Sequence, residues 1–406
     1  MQDASPAPYR TRSLAADRLG LTQRLSARTL LLGGVMIVML GLLIGVEQDP
    51  DFWWHLRIGR WMLDNGRLPN QDVFTYTVTS HAWTDHEYLT EILMWLTYCT
   101  FGVTALVIAF GLLTWAGFWL IYMQVRRQPF VFVGVGLAIA AVAGAPIWGP
   151  RAQMITFVLS CLELYWLQGY LAGRSRAINF FPFLMMAGFA LKRPTLYQFL
   201  LGTAGLFLAL QSVRNIALFV AAATPVLITS YGGWWRDLAT AHRWTFGIPP
   251  RRLFAVTTAV VLVGITLLTS IRVAGNISPA HQQNMDAQSY PVAASDWLAA
   301  HPEVGTRMFN QYGWGGYLAN RFYPSPSRRV FIFGEAALMG DRLLNEYEDV
   351  VSLRSGWKQV LDRYGVDYVV YNKGAALSNV LATQSDWTLV YQDSVAVIYV
   401  RTASRS

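Results

Sequence analysis

Thr29-Leu-Leu-Leu-Gly-Gly-Val-Met-Ile-Val-Met-Leu-Gly-Leu-Leu-Ile-Gly-Val46 is an unbroken apolar run, and Glu47-Gln-Asp-Pro-Asp-Phe-Trp-Trp-His55 follows it directly. A helix needs about 20 apolar residues to cross hydrocarbon, with a range of about 17 to 25. The run has eighteen. A cleaved signal would have a shorter apolar core and a small-residue cleavage site. This run ends in Gly45-Val46-Glu47-Gln48, so it reads as a retained helix. Before it stand Arg10, Arg12, Arg18, Arg24 and Arg28 against only Asp3 and Asp17. That basic flank places the N-terminus in the cytoplasm.

Composition agrees with a membrane protein. The chain has 406 residues, of which 54% are hydrophobic and 14% charged, where a soluble protein carries roughly 25% charged residues. The net charge of +8 comes from Lys and Arg gathered in short loops between apolar segments. That is the bias of cytoplasmic loops rather than the patch of a nucleic-acid binder, and no nucleic-acid partner is expected. Cys99 and Cys161 both lie in apolar segments, so neither a disulfide framework nor a cysteine metal site is expected.

Further apolar runs cover 103–125, 130–147, 154–171, 196–210, 216–231 and 253–271. Residues 178–191 are too short to cross comfortably and read as a re-entrant or interfacial segment. The expected architecture is an α-helical polytopic membrane protein of about seven spans. A basic tail covers 1–28, the membrane domain 29–275 and a soluble α/β domain 276–406. With the N-terminus inside, the loop 47–87 and the C-terminal domain share the outer face. Within that loop, Phe52 to Leu63 can form a short helix. Trp53, Trp54, Ile58, Trp61 and Met62 lie mostly on one side of it, as in a helix at headgroup level. In the C-terminal part, 307–310, 329–333, 368–372, 387–391 and 395–400 read as strands. Residues 292–300, 340–351 and 356–364 read as helices, the last giving half of a βαβ unit.

Four constellations carry chemistry. Asp49 and Asp51, two apart and stiffened by Pro50, can share a divalent cation through hard oxygens. Alternatively one is a general base, or one merely caps the helix beginning near Phe52 with His55 as a polar tip. His81, Asp85, His86, Glu87 and Glu91 precede or enter an apolar helix. Glu87 and Glu91 lie one turn apart, and carboxylates entering a bilayer are costly. The plain alternative is an N-cap at Asp85 with acids in the first turn. Arg151 and Arg214 sit on the outer side of the expected topology. There they suit a lipid phosphate, or else snorkel or pair with Glu163 or the acidic loop. Gly313-Trp-Gly-Gly316 reads as a tight turn, because it lacks the Lys and Ser/Thr of a phosphate loop.

These residues carry a resemblance. Asp49-Pro-Asp-x-Trp-Trp-His-Leu-Arg-x-Gly59, Asp72-x-Phe-Thr-Tyr-Thr77, Trp83-x-x-His-Glu87, Arg151-x-Gln153, Arg214 to Phe219 and Phe309-Asn-x-x-Gly-Trp-Gly-Gly-Tyr317 together resemble a group of bacterial multi-pass membrane proteins. That group is related to the GT-C glycosyltransferases, which use polyprenyl-phosphate sugars. At Phe333-Gly-Glu335 the chain departs from the Asp-Gly-Arg of the group. The resemblance implies a GT-C-like fold in the bacterial inner membrane, with the C-terminal domain periplasmic or extracellular. It implies transfer of a sugar to a glycan, lipid or protein acceptor. Asp51 or Asp49 would be the catalytic carboxylate or hold Mg2+ or Mn2+. His55, His86, Glu87, Arg151 and Arg214 would bind substrate. The alternative is a non-catalytic protein that binds or translocates lipid-linked glycans.

Overall fold

The computed structural model describes residues 27–45, 49–85, 87–171, 216–241 and 251–402. They are mostly helical, with a small sheet in the C-terminal region. The helices are α1 Ala27–Leu43, α2 Phe52–Asn65, α3 Tyr88–Val125, α4 Phe130–Ala143, α5 Ala152–Leu171, α6 Ile216–Ala241 and α7 Arg251–Asn276. They continue with α8 Pro279–Ser289, α9 Val292–Ala300, α10 Gly315–Phe322, α11 Ala336–Val351, α12 Trp357–Arg363 and α13 Ala376–Leu381. The strands are β1 Met308–Asn310, β2 Tyr368–Asn372, β3 Trp387–Gln392 and β4 Ala396–Arg401.

Among the described residues, 3 helices are long and apolar enough to cross a membrane: Tyr88–Val125, Ile216–Gly233 and Ala255–Asn276. Seven crossings are therefore not shown. The expected segments 178–191 and 196–210 lie outside the described residues, as do Glu47, His86, Arg214 and the tail before Ala27. Helix α3 is interrupted at Gly102, whose φ of 78° no ordinary side chain adopts cheaply. This is where the sequence separates Phe101 from Val103.

Two compact units emerge. The first comprises the described residues of Met1–Leu43, Leu112–Trp148 and Thr156–Ala274. Its helices approach closely over small residues. A methyl group at Gly134 would lie 2.8 Å from Leu31, one at Gly136 2.5 Å from Ile228, and one at Gly41 2.6 Å from Thr269. Between apolar helices in lipid, such intimacy replaces the hydrophobic driving force as the source of association. Val256, Val260, Val263, Leu267, Leu268 and Ile271 of α7 stand exposed, a surface suited to hydrocarbon rather than water.

The second unit comprises Ile44–Gly111, Gly149–Ile155 and Gly275–Ser406 within the described range. Its sheet has the order β1-β2-β4-β3. Strands β1 and β2 are parallel, joined through α10, α11 and α12, while β4 is antiparallel to both β2 and β3. Gly365, at φ 59°, turns the chain from α12 toward β2, as the βαβ reading requires.

Two expectations are corrected here. Residues 329–333 are extended but do not join the sheet. Val330 is instead clasped by the loop, donating to the Phe74 carbonyl at 3.2 Å and accepting from the Tyr76 amide at 3.3 Å. On the other side, the Asn310 side chain accepts from the Phe331 amide at 2.8 Å and donates to the Ile332 carbonyl at 2.9 Å. A single buried Asn thus does the work of a neighbouring strand. Helix α2 is also not an interfacial helix. Trp54, Ile58, Trp61 and Met62 are buried in one core with Phe74, Trp83, Leu318, Phe322, Phe331 and Phe333. Arg57 fixes α2 to α10 by donating to the Asn320 carbonyl at 2.6 Å and to its side-chain oxygen at 3.1 Å. The aromatic face that suits a lipid interface suits a protein core equally, and burial among aromatics stabilises it more fully.

The Asp72-x-Phe-Thr-Tyr-Thr77 motif builds this core. Buried Asp72 accepts from the amides of Phe74 and Thr75 at 3.0 and 2.8 Å, folding the loop on itself. Burial pushes its carboxyl above the usual range, against the pull of the Thr75 hydroxyl and these two amides. Tyr76 and Thr77 then reach the carbonyls of Met308 and Phe331 at 3.2 and 2.7 Å.

Candidate functional site

The site grows from the turn that leads into α2. Asp51 stands at the N-cap position, with φ −81° and ψ −22°, but makes no side-chain capping bond. Its Oδ1 accepts instead from the Trp54 indole N–H at 3.1 Å. Asp49 Oδ1 accepts from the Asp51 amide at 3.1 Å, and the Asp49 carboxylate pairs with Arg151. The Asp49 carbonyl also accepts from the Tyr290 hydroxyl at 3.0 Å. Burial pushes the Asp49 carboxyl above its usual range, against the opposing pull of the Arg151 guanidinium.

Glycines bring the C-terminal segments onto this turn. A methyl group at Gly316 would lie 2.8 Å from the Pro50 carbonyl oxygen, and one at Gly315 2.0 Å from that of Ile332. Gly315 has ordinary helical angles, φ −57° and ψ −43°. Gly313-Trp-Gly-Gly316 is therefore not simply a tight turn: its last two glycines exist for close backbone approach. Gly334 is the tightest case, since a methyl there would lie 1.7 Å from Asp51 Oδ1. The segment Phe333-Gly-Glu335 thus passes directly over the Asp51 carboxylate.

One turn beyond Asp51, His55 is buried with its Nδ1 2.7 Å from Glu91 Oε1 and 3.7 Å from Glu87 Oε2. Gly59, one further turn along the same face of α2, makes this possible. A methyl group at Gly59 would lie 2.2 Å from the Glu91 carbonyl oxygen. Burial opposes protonation of His55, yet Glu91, Glu87 and Asp51 outweigh it and raise its pKa to about 9. His55 Nδ1 and Glu91 Oε1 thus share one proton across this contact.

Asp85 accepts from the Glu87 amide at 2.9 Å in a turn before the helix; α3 begins at Tyr88, so Glu87 and not Asp85 holds the N-cap position. Its carboxyl also lies within hydrogen-bonding reach of Glu91. Gln153 at the start of α5 donates to Glu87 Oε1 at 3.5 Å. The Arg151-x-Gln153 pair therefore addresses both halves of the cluster, one residue at Asp49 and the other at Glu87.

Of the residues singled out from sequence, Asp49, Asp51, His55, Glu87 and Arg151 come together. His81 does not, because its Nδ1 donates to the Leu338 carbonyl at 2.9 Å. His86 and Arg214 lie outside the described residues. Sequence reasoning named Glu91, Gln153, Gly334 and Trp54 but not the link of Glu91 to His55, of Gln153 to Glu87, or of Gly334 and the Trp54 indole to Asp51. Gly59, at helical spacing from His55, was the available signal for the first. Among the described residues, the group with metal-ligand geometry is His55, Glu87 and Glu91, whose ligand atoms all lie within 4.8 Å of one another. Asp49 and Asp51, the pair expected to share a cation, are engaged by Arg151 and Trp54.

No family model, no curated protein and no solved structure matches this chain. Its function is therefore read from the chemistry of the site.

Proposed function

We propose that the chain is a membrane glycosyltransferase of GT-C type. It would move a sugar from a polyprenyl-phosphate donor to a glycan, lipid or protein acceptor at the outer face of a bacterial inner membrane. The observation that carries this reading is the meeting of Asp51, His55, Glu87 and Arg151 in one unit, at the start of an apolar helix long enough to cross a membrane. In this reading seven spans place the N-terminus inside and both the 47–87 loop and the C-terminal domain outside.

Sugar transfer needs two opposed charges. The acceptor hydroxyl passes its proton to a carboxylate as its oxygen attacks the anomeric carbon. The bond from that carbon to the phosphate oxygen breaks, and the electron pair leaves with polyprenyl phosphate. Asp51 is the base because it is only half-buried, whereas the Asp49 carboxylate is occupied by Arg151. Arg151, partly open to solvent, faces the charge that develops on the leaving phosphate. His55, held by Glu91, lies one turn of helix from the base.

The Asp49–Arg151 pairing favours a second reading, in which the loop is a structural anchor of a protein that binds or translocates lipid-linked glycans without turnover. Membranes carrying the wild-type chain or Asp51→Asn, supplied with a radiolabelled polyprenyl-phosphate sugar, separate the two. Transfer abolished in Asp51→Asn with donor binding retained supports catalysis. Transfer at full rate in Asp51→Asn, or donor binding with no transfer in the wild type, sinks it.

A further inference from the structure

Two buried carboxyl groups, Glu91 and Asp85, stand together beside His55. Glu91 and Asp85 are buried, and among the described residues neither Glu91 Oε2 nor Asp85 Oδ2 has a hydrogen-bond donor. Two carboxyl groups within reach of each other in a low-dielectric interior repel strongly unless something positive lies between them. A buried carboxylate oxygen without a partner forfeits the hydrogen bonds it made to water. The Gly59 crossing nevertheless drives α2 and α3 into the contact that creates this arrangement.

We infer that His55, Glu87 and Glu91 form a binding site for one divalent transition-metal ion, with the buried Asp85 carboxyl adding negative charge beside Glu91. The geometry fits. Ligands about 2.1 Å from a metal stand roughly 3.0–3.4 Å apart in octahedral or tetrahedral arrangements. The His55 Nδ1 separations of 2.7 and 3.7 Å from the two glutamates bracket that range. The donor set is one imidazole nitrogen with carboxylate oxygens, which suits Zn2+ or Mn2+ better than the all-oxygen preference of Mg2+ or Ca2+. Gln153, donating to the second oxygen of Glu87, orients that ligand from outside. This places the cation on the α2–α3 crossing rather than between Asp49 and Asp51. The site shares His55 and Glu87 with the glycosyltransferase reading but not Asp51, its proposed base, so the two are tested separately.

The test uses the full chain purified in detergent, stripped with EDTA and dialysed against Zn2+, Mn2+ or Mg2+ in turn. Metal content is then measured by mass spectrometry and thermal unfolding is followed. The expected result is about one equivalent of Zn2+ or Mn2+ retained and none of Mg2+, with the melting temperature raised by the bound metal. Glu87→Gln, at a partly exposed position, lowers affinity on the order of tenfold or more and abolishes the thermal shift. Glu91→Gln does the same if it folds, and Asp51→Asn keeps the metal. No stoichiometric metal, or equal retention by wild type and Glu87→Gln, overturns the site and leaves a proton shared between Asp85 and Glu91. The metal test contains no sugar donor, so metal retention beside failed transfer in the separate radiolabel assay counts only against the proposed function. Full transfer by metal-free protein that also retains no added ion counts only against this site.

Discussion

His55 on α2 touches Glu91 on α3, with Nδ1 2.7 Å from Oε1, because Gly59 one turn later lets the two backbones meet. The contact joins the turn after the first apolar run to the start of the second, and the other acidic residues gather around it.

Gly59→Ala tests that crossing. Its methyl group would fall 2.2 Å from the Glu91 carbonyl oxygen and 2.6 Å from the carbon, and backbone cannot rotate away as a side chain can. The expected loss is about 1–3 kcal/mol, typical of overpacking, read as a lower melting temperature. If Gly59→Ala melts with the wild type, the close approach has no energetic consequence.

Gly334→Ala separates the position of Asp51 from its chemistry. The new methyl group collides with Asp51 Oδ1 and approaches Trp54 Nε1 at 3.2 Å, so the carboxylate must swing out of its place. With Asp51 as the base, transfer falls on the order of 10²–10⁴-fold, matching Asp51→Asn, while the chain stays folded. Undiminished transfer by folded Gly334→Ala argues against Asp51 as the base.

Asp49 and Arg151 form a test of coupling. Removing Arg151 alone takes the guanidinium from the buried Asp49 carboxylate, and breaking a buried pair in this way costs up to about 3–5 kcal/mol. Arg151→Gln is therefore expected to be much less stable than wild type. The double variant Asp49→Asn with Arg151→Gln should recover much of the loss. Additive losses in a double-mutant cycle of melting temperatures would show that the two side chains do not depend on each other.

The acid limb of stability has a contributor away from the site. Burial opposes ionisation of Glu346, but the Tyr364 hydroxyl, Arg342 and Arg363 outweigh it and hold its carboxyl below the ordinary 4.5. A folded-state pKa below the unfolded one adds stability that is present above the unfolded value and lost as pH falls through the folded one. Glu346→Gln should thus narrow the stability gap between pH 7 and pH 3. Identical pH profiles for variant and wild type would remove Glu346 from that account.

Local pattern carried much of the outline. The apolar runs announced α1, α3, α6 and α7, because a residue's transfer into hydrocarbon depends on its own side chain and little on distant neighbours. The break at Gly102, the helix beginning at Phe52 and four of the five expected strands were legible for the same reason: period, turn residues and glycine act over a few positions. Asp49, Asp51, His55, Glu87 and Arg151 were visible as costly polar residues beside a membrane segment. What the sequence could not decide was which surface an aromatic helix face would choose, since lipid and protein core offer Trp54 and Trp61 similar relief from water. Nor could it assign partners. Residue 330 pairs with the loop at 74–76 rather than with the sheet, Asp49 with Arg151, and His55 with Glu91. Those choices depend on where backbones can approach, and Gly59, Gly316 and Gly334 set that only once the chain has packed.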